Sequence, residues 1–369
     1  MVNSAAKQIA FRVDASTEIG TGHVMRCLTL ADALRQKGAT SLFLCRPHQG
    51  HLMDVIAKRG HEVVALPELS RDWHCEVTVP SHASWLGTSW QQDAKDTLAV
   101  LAGRNFDWLV VDHYALDAHW QDAVKAAFHN LLVVDDLADR RHACDLLLDQ
   151  NLGRTRADYT GLLGPSTKAL IGPEYALLRP EFSQLRSESL NRRKSPHFKR
   201  ILITMGGVDK ANVTSKVLRA LDDSSMPDGV EVVVVMGSNA PWLDQVRETV
   251  SQMKYKANVL VGVSNMARLM TDSDYAIGAA GSTSWERCCL GLPSMILVIA
   301  ENQWEIAEAL DRSGAAILSA VDGLKEALNQ VFSDDSLVDR LRYQAERAGA
   351  LGDGLGADRI ARILIGAQR

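Results

Sequence analysis

The sequence predicts an α/β protein made of two Rossmann-like domains facing an interdomain cleft. Two observations carry this expectation. Apolar runs of strand length alternate with stretches of helical period along most of the chain, the pattern of a parallel sheet with crossover helices. The pattern also restarts. A strand, a glycine-containing loop and a helix open at residue 9, and the same order of parts opens again at residue 200 after a turn-rich, basic stretch. The 369 residues are enough for two ordinary α/β domains. The expected boundaries are 1–185 and 199–345, with a helical tail over 346–369.

The opening stretch is the most informative. A strand at residues 9–13 (IAFRV) runs into a polar loop holding Asp14, Ser16, Gly20, Thr21, Gly22 and His23. Val24, Cys27, Leu28, Leu30, Ala31 and Leu34 then recur at helical spacing. His23 therefore stands where a strand hands over to a helix N-terminus, the place where open α/β sheets hold ligands. The unpaired N–H groups and positive dipole end of a helix start suit an anion or a developing oxyanion. An isolated loop histidine is ordinarily solvated or structural, but two glycines just before it favour a loop that touches a ligand, because glycine permits close approach and positive φ. A dinucleotide fingerprint would need a third glycine three residues after Gly22, and that place is Met25. No acidic residue is placed for a ribose either, so this loop is not read as an NAD site.

Composition narrows the class. Hydrophobic residues make up 46% of the chain and charged residues 23%, the profile of a soluble globular protein. The net charge of −5 gives no overall basic field for nucleic acid. Six cysteines (Cys27, Cys45, Cys75, Cys144, Cys288, Cys289) form no C-x-x-C pair, and most have apolar neighbours, which reads as reduced core thiols of a cytoplasmic protein. The N-terminus lacks a basic region followed by an apolar run, so no signal peptide is expected. Apolar runs are too short for membrane insertion. Nothing in the sequence names a protein partner.

Further strands are expected at 41–45 (SLFLC), 62–66 (EVVAL), 108–111, 131–134 and 144–148, with helices over 51–59 and 91–104. Residues 67–85 have no clear period. The strand at 108–111 ends in Asp112-His113-Tyr114, which fit either a helix cap or turn, or a site in which Tyr114 and His113 reach a shared crevice. The strand at 131–134 ends in Asp135-Asp136; with no third ligand suitably spaced, charged loop caps are favoured over a metal site. Turn residues over 165–200 and the basic run from Arg186 to Arg200 read as an exposed interdomain linker.

The second half begins with a strand at 200–205 (RILITM), then Gly206-Gly207, Asp209, Asn212 and a helix to about residue 221. Strands follow at 231–236, 258–263, 275–278 and 295–299. Ser264-Asn265 are expected to cap a short helix, Gly281-Ser282-Thr283 open another over 284–290, and Glu301-Asn302-Gln303 precede a third. No G-x-x-x-x-G-K-[ST] motif occurs, which argues against a P-loop NTPase. Backbone amides at such turns can hold a diphosphate without metal. Glu286, one helical turn beyond Ser282, is placed either to accept ribose hydroxyls or to serve as an ordinary helix carboxylate. Leu324, Leu328, Leu337, Leu341, Ile360, Ile363 and Leu364 are packing candidates in the helical remainder, which Gly349, Gly352, Gly354 and Gly356 interrupt.

Together FRVDASTEIGTGHVMRCLTLA, VVDHY, VVDDLADRRHACDLLLDQN, YALLRPEF, ITMGGVDKAN and GSTSWE–ENQ resemble, in order and spacing to about residue 310, the UDP-sugar hydrolases of pseudaminic acid biosynthesis. The MGG and GSTSWE turns are also similar to those of other GT-B nucleotide-sugar enzymes. The resemblance implies a GT-B fold, with the sugar and catalytic loop on the N-terminal domain and UDP on the C-terminal one. It implies hydrolysis of UDP-2,4-diacetamido-2,4,6-trideoxy-β-L-altropyranose, with inversion at the anomeric carbon. Carried over by position, His23 would be the general base, with Asp14, Gly22 and Tyr114 in the substrate site. Arg179 and Glu286 would bind substrate, Gly207, Ser282 and Thr283 would approach the diphosphate, and the Val263 backbone would meet uracil. Asn302 and Gln303 match a pair near the sugar. Trp285 departs from the pattern, which has asparagine there.

The residues suit that chemistry. UDP is a good leaving group, so the paired carboxylates of ordinary glycosidases are not required. Water activation by histidine and stabilisation of the diphosphate suffice, and no metal or cofactor is called for. A UDP-sugar-dependent transferase of the same fold is the rival, separable by its need for an acceptor groove. A silent nucleotide-sugar-binding protein would have little use for His23.

Overall fold

The computed structural model describes residues 6–68, 80, 82–238, 240–332 and 336–366. The chain divides into a unit of Met1–Leu177 with Gly356–Arg369, and a unit of Leu178–Leu355. The expected Cys75 thiol lies outside the described residues, as do 69–79 and 81 of the aperiodic stretch.

The first unit holds the strands β1 (Gln8–Val13), β2 (Thr40–Cys45), β3 (Glu62–Ala65), β4 (Phe106–Asp112), β5 (Phe128–Val134), β6 (Leu146–Asp149) and β7 (Lys168–Ile171). They form one parallel sheet in the order β3-β2-β1-β4-β5-β6-β7. Its helices include α1 (Gly22–Gln36), α2 (Met53–Lys58), α3 (Trp90–Leu101) and α4 (Ala118–Val124). Strand periodicity sorts the two faces. Ile9, Phe11 and Val13 pack with Val24, Cys27, Leu28, Ala31 and Leu34 of α1, and Phe11 stacks on Phe43 with ring centroids 4.7 Å apart. Ala10, Leu109 and Val111 face the other way, toward Leu101, Trp120 and Val124. Each Val, Leu, Ile or Phe side chain removed from water there contributes about 1.5–3 kcal/mol.

The expected separate tail is corrected by the last helix (Gly356–Leu364). It buries Ile360, Ala361 and Leu364 in the same core as α1 and so belongs to the first unit. Gly356 admits no side chain, since a Cβ would lie 2.3 Å from the Ala176 carbonyl oxygen.

The second unit contains β8 (Arg200–Thr204), β9 (Glu231–Met236), β10 (Ala257–Val261), β11 (Tyr275–Ala279), β12 (Ser294–Leu297) and β13 (Ile317–Ser319). They make a second parallel sheet, ordered β10-β9-β8-β11-β12-β13. Its helices are α5 (Pro180–Arg192), α6 (Val213–Asp222), α7 (Leu243–Gln252), α8 (Met266–Asp272), α9 (Thr283–Cys289), α10 (Trp304–Arg312), α11 (Leu324–Phe332) and α12 (Leu337–Gly349). No described helix is long and apolar enough to cross a membrane.

The linker expectation fails at α5. Phe182 and Ser189 are fully buried, and two of the basic residues turn into the protein while Lys194 and Lys199 stay exposed. Arg193 donates to the carbonyls of Leu290, Ser273 and Met270, and Arg186 to those of Cys289 and Gly349. Several of these carbonyls end α8 and α9, where helices lack intrahelical donors. Arg186 and Arg193 are therefore helix-capping residues of the second unit.

A charged network lies within the first unit. Arg12 pairs with Asp93 and Asp14, each at 2.7 Å, and Arg46 with Asp93 at 2.7 Å and Asp96 at 3.1 Å. Trp120 Nε1 donates to Asp93 at 3.0 Å. Arg12, Asp14 and Asp93 have no exposed surface. Burial alone would raise the Asp93 pKa, but Arg12 and then Arg46 hold it below the usual carboxylate range. Asp93→Ala would leave two guanidinium groups short of a carboxylate, at an expected loss of about 3–5 kcal/mol. Urea unfolding checks this, and an unmoved midpoint would show that the network adds nothing to stability.

Candidate functional site

In the first sheet the order reverses direction between β1 and β4, where Val13 pairs with Asp112. Loops that leave such a pair at the carboxyl ends diverge and open a crevice. His23 follows β1 and Tyr114 follows β4, so both expected residues flank this switch point. The loop before His23 is a built turn. Ser16 Oγ accepts from the Glu18 and Ile19 amides, and Gly20 has φ +83°, which a side chain would oppose. Gly22 is exposed and already helical, without positive φ.

His23 Nδ1 lies 2.6 Å from Asp112 Oδ1. Burial would raise the Asp112 pKa, but Arg26 and then His23 hold it well below the carboxylate range. An ionised oxygen at that distance assigns the ring proton to Nδ1. The hydrogen bonds that the ring makes among the described residues run through Nδ1, which leaves Nε2 as the basic nitrogen. Arg26 Nε and Nη2 grip both oxygens of Asp112 at 2.6 Å, and Nη1 reaches Asp136 at 2.6 Å. Tyr114 donates to Asp136 at 2.9 Å and stands edge-on to the His23 ring, centroids 4.7 Å apart. Only 4% of Tyr114 is exposed, because Trp85 stacks on it and His82 packs against its ring.

Asp14 does not fit the substrate set. It is fully buried, with one oxygen on Arg12 and the Arg46 amide and the other near His48 and His113. Asp135 and Asp136 are not plain loop caps. Asp135 is fully buried and pairs with Arg140, accepts from the Ala138 amide and meets the Tyr159 hydroxyl, while Asp136 joins Arg26 and Tyr114.

The second sheet reverses between β8 and β11. Gly207 lies just beyond β8, and Ser282 and Thr283 lie just beyond β11, on opposite sides of this second switch point. Ser282 is exposed and Thr283 half-buried. Gln303 belongs with this turn, its Nε2 4.0 Å from where a Gly281 side chain would begin, and its Oε1 accepts from the Ile299 amide. Asn302 beside it is exposed. Val263 follows β10, two strands from β8, or about 10 Å away at the usual strand spacing. The expected side-chain cap from Ser264-Asn265 is absent; Asn265 precedes α8 without a side-chain hydrogen bond.

Arg179 and Glu286 meet, with Nη2 to Oε1 at 3.7 Å, and Arg179 also pairs with Glu181 at 3.0 Å. Burial pushes the Glu286 pKa up to about 7 against the pull of Arg179 and Arg287. Trp285 is buried and serves packing. Arg287, next to it, donates to the Ala279 carbonyl and to the Thr283 and Ser284 hydroxyls, and so braces the turn from beneath. Sequence reasoning missed Asp112, Arg26, Asp136 and Arg287 as members of these sites. For Arg26 a signal existed, since it lies three residues after His23 on one helical face.

No family model matches the chain. It is 25% identical over 307 residues to the UDP-2,4-diacetamido-2,4,6-trideoxy-β-L-altropyranose hydrolase of Campylobacter jejuni, covering 83% of this chain and 97% of that protein. An uncharacterized protein of Methanocaldococcus jannaschii is 26% identical over 304 residues; the match covers 81% of this chain and 57% of that longer relative. Among solved structures, MurG of Acinetobacter baumannii superposes with a TM-score of 0.67 at 15% identity, covering 98% of this chain and 99% of MurG. The calicheamicin glycosyltransferase CalG4 gives 0.62 at 14% identity, covering 99% of each chain. The two doubly wound sheets are those of the GT-B fold, and over 83% of its length the chain is similar to a UDP-sugar hydrolase.

Proposed function

We propose that this protein hydrolyses a UDP-sugar, UDP-2,4-diacetamido-2,4,6-trideoxy-β-L-altropyranose, to the free sugar and UDP with inversion at the anomeric carbon, without a metal. The observation that carries the reading is the His23–Asp112 pair at a switch point, in a chain similar to a hydrolase of that substrate. In this scheme Nε2 of His23 takes a proton from water, whose oxygen attacks the anomeric carbon on the face opposite UDP. The bond to the diphosphate oxygen breaks and its electrons leave with UDP. Asp112 holds the ring in the Nδ1–H tautomer and stabilises the imidazolium as it forms, the task of the carboxylate in a histidine-based triad. Gly207, Ser282 and Thr283 would receive the diphosphate, Val263 the uracil and Glu286 the ribose. Arg179, Tyr114, Gln303 and Asn302 complete the proposed set, with Gly22 at the catalytic loop; Asp14 is left out because it is internal.

The direct test is incubation with this UDP-sugar in buffered water containing EDTA, followed by NMR. Free sugar of inverted anomeric configuration together with UDP supports the reading. Intact substrate that turns over only when an acceptor is added would make the protein a transferase. Binding without any turnover would make it a nucleotide-sugar-binding protein.

His23→Ala is expected to keep UDP affinity and lose about two to four powers of ten in kcat; normal turnover would remove His23 from the mechanism. Asp112→Asn, which offers a donor where an acceptor is needed, should lower kcat by up to about four powers of ten with little change in KM.

Glu286 predicts a pH dependence of binding. Its carboxyl titrates near 7 in the free protein, so below that pH it is protonated and a poorer acceptor for ribose hydroxyls. Affinity for a UDP-sugar, measured calorimetrically in His23→Ala, should rise with pH through about 7 by at most roughly tenfold per unit, then level off. Glu286→Gln should flatten the profile, and an unchanged slope in that variant would contradict the assignment.

A further inference from the structure

Arg26 lies one helical turn beyond His23 on α1. It holds both oxygens of Asp112 and one oxygen of Asp136, each at 2.6 Å. Its Nη2 is also 3.2 Å from His23 Nδ1. The side chain is 10% exposed, so little water screens these contacts. A bidentate, planar grip of this kind fixes direction as well as charge.

Asp112, at 2.6 Å from Nδ1, favours a positively charged ring. A buried carboxylate with no other partner would hold the imidazole as imidazolium, which cannot accept a proton from water. Arg26 opposes this in two ways. It shares the Asp112 charge, and it places its own positive charge beside Nδ1. We propose that Arg26 is a positioning residue that sets the charge and tautomer of His23, keeping Asp112 an acceptor for Nδ1–H while disfavouring the imidazolium, so that Nε2 stays a free base. The proposal rests on the reading of His23 as the base.

The surrounding charges leave this task to Arg26. From the end of β4, Asp112 and Tyr114 face the ring, and the Cys27 thiol of α1 lies 3.5 Å from Asp112. Asp136, after β5, binds Arg26 and Tyr114. Arg140 stands 5.7 Å from the Tyr114 ring but pairs with Asp135 at 2.9 Å and Asp139 at 2.7 Å. The His82 ring contacts Tyr114, with 5.2 Å between centroids. Among the described residues, Arg26 is thus the guanidinium in direct contact with the His23–Asp112 pair.

The test uses the full chain labelled with ¹⁵N-histidine, with the His23 signals identified by their loss in His23→Gln. Ring-nitrogen shifts separate the two neutral tautomers from the imidazolium. The parent should show the Nδ1–H form at mildly alkaline pH. In Arg26→Gln the imidazolium pattern should persist to a pH higher by about one unit or more, and the acid limb of kcat should move with it while KM stays. Arg26→Lys should keep the parent transition but lose the single tautomer. Asp136→Asn should shift the transition to lower pH. A transition in Arg26→Gln at the parent's pH, or an upward shift in Asp136→Asn, overturns the proposal. If Arg26→Gln does not fold, the Asp136→Asn shift decides. Failure of the hydrolase reading shows separately, as no UDP release by the parent, and leaves these spectra unaffected.

Discussion

The first unit depends on a set of charges that have no access to water. Arg12, Asp14 and Asp93 are fully buried and Arg46 nearly so, and each is tolerated only because the others satisfy it. Arg12 sits inside β1 and Arg46 just beyond β2, while Asp93 belongs to α3. Asp14 adds the third strand, with His113, after β4, 3.3 Å from its second oxygen. The network therefore ties down the carboxyl ends of the strands on both sides of the switch point. Opposing charges fix those ends more sharply than apolar packing would, because a shifted loop would strand a guanidinium. His23 and Asp112 meet at 2.6 Å above this internal lattice.

The second unit uses its buried arginines differently. Arg186 and Arg193 donate to helix-terminal carbonyls, and Arg287 to a carbonyl and two hydroxyls. None of these bonds engages a carboxylate, and burial lowers the Arg193 pKa to about 9 and the Arg287 pKa to about 10. A guanidinium's five donors can bind several carbonyls at once, which suits crowded helix ends. At Arg287 the outcome is a hydroxyl turn held from below, with Ser282 left exposed at its tip.

Most strands and the longer helices were legible because they have period and length. The strand at 9–13, the apolar stripe of α1 and the run EVVVVM of β9 each announce themselves. Some of the shortest elements did not. The strands β7 and β13 have four and three residues, and α4 has seven, although Asp117 caps it in a recognisable way. The helix α5 was misread because a basic run looks the same whether it faces water or helix carbonyls. Asp14 and Asp112 show the same limit at the site. Both are buried acids at the ends of neighbouring strands, and the sequence does not say which one meets His23. A position after a strand alternates face with each residue, so register decides, and register belongs to the folded sheet.

What the geometry offers for the proposed reaction is a histidine whose two neighbouring carboxylates, among the described residues, are both engaged by other groups. A glycosidase acting on an ordinary glycoside must protonate a poor leaving group, which calls for a second carboxyl group a few ångströms from the first. The carboxylates around His23 are committed elsewhere: Asp112 to the ring and Arg26, Asp136 to Arg26 and Tyr114. Neither is placed to give up a proton, since Asp112 is held ionised by Arg26 and His23 despite its burial. Such a site can break a bond to an anomeric carbon only when the departing oxygen already carries its charge well, as a diphosphate does. The commitment of both acids to an arginine is therefore consistent with the proposed reaction, in which a diphosphate leaves without needing a proton.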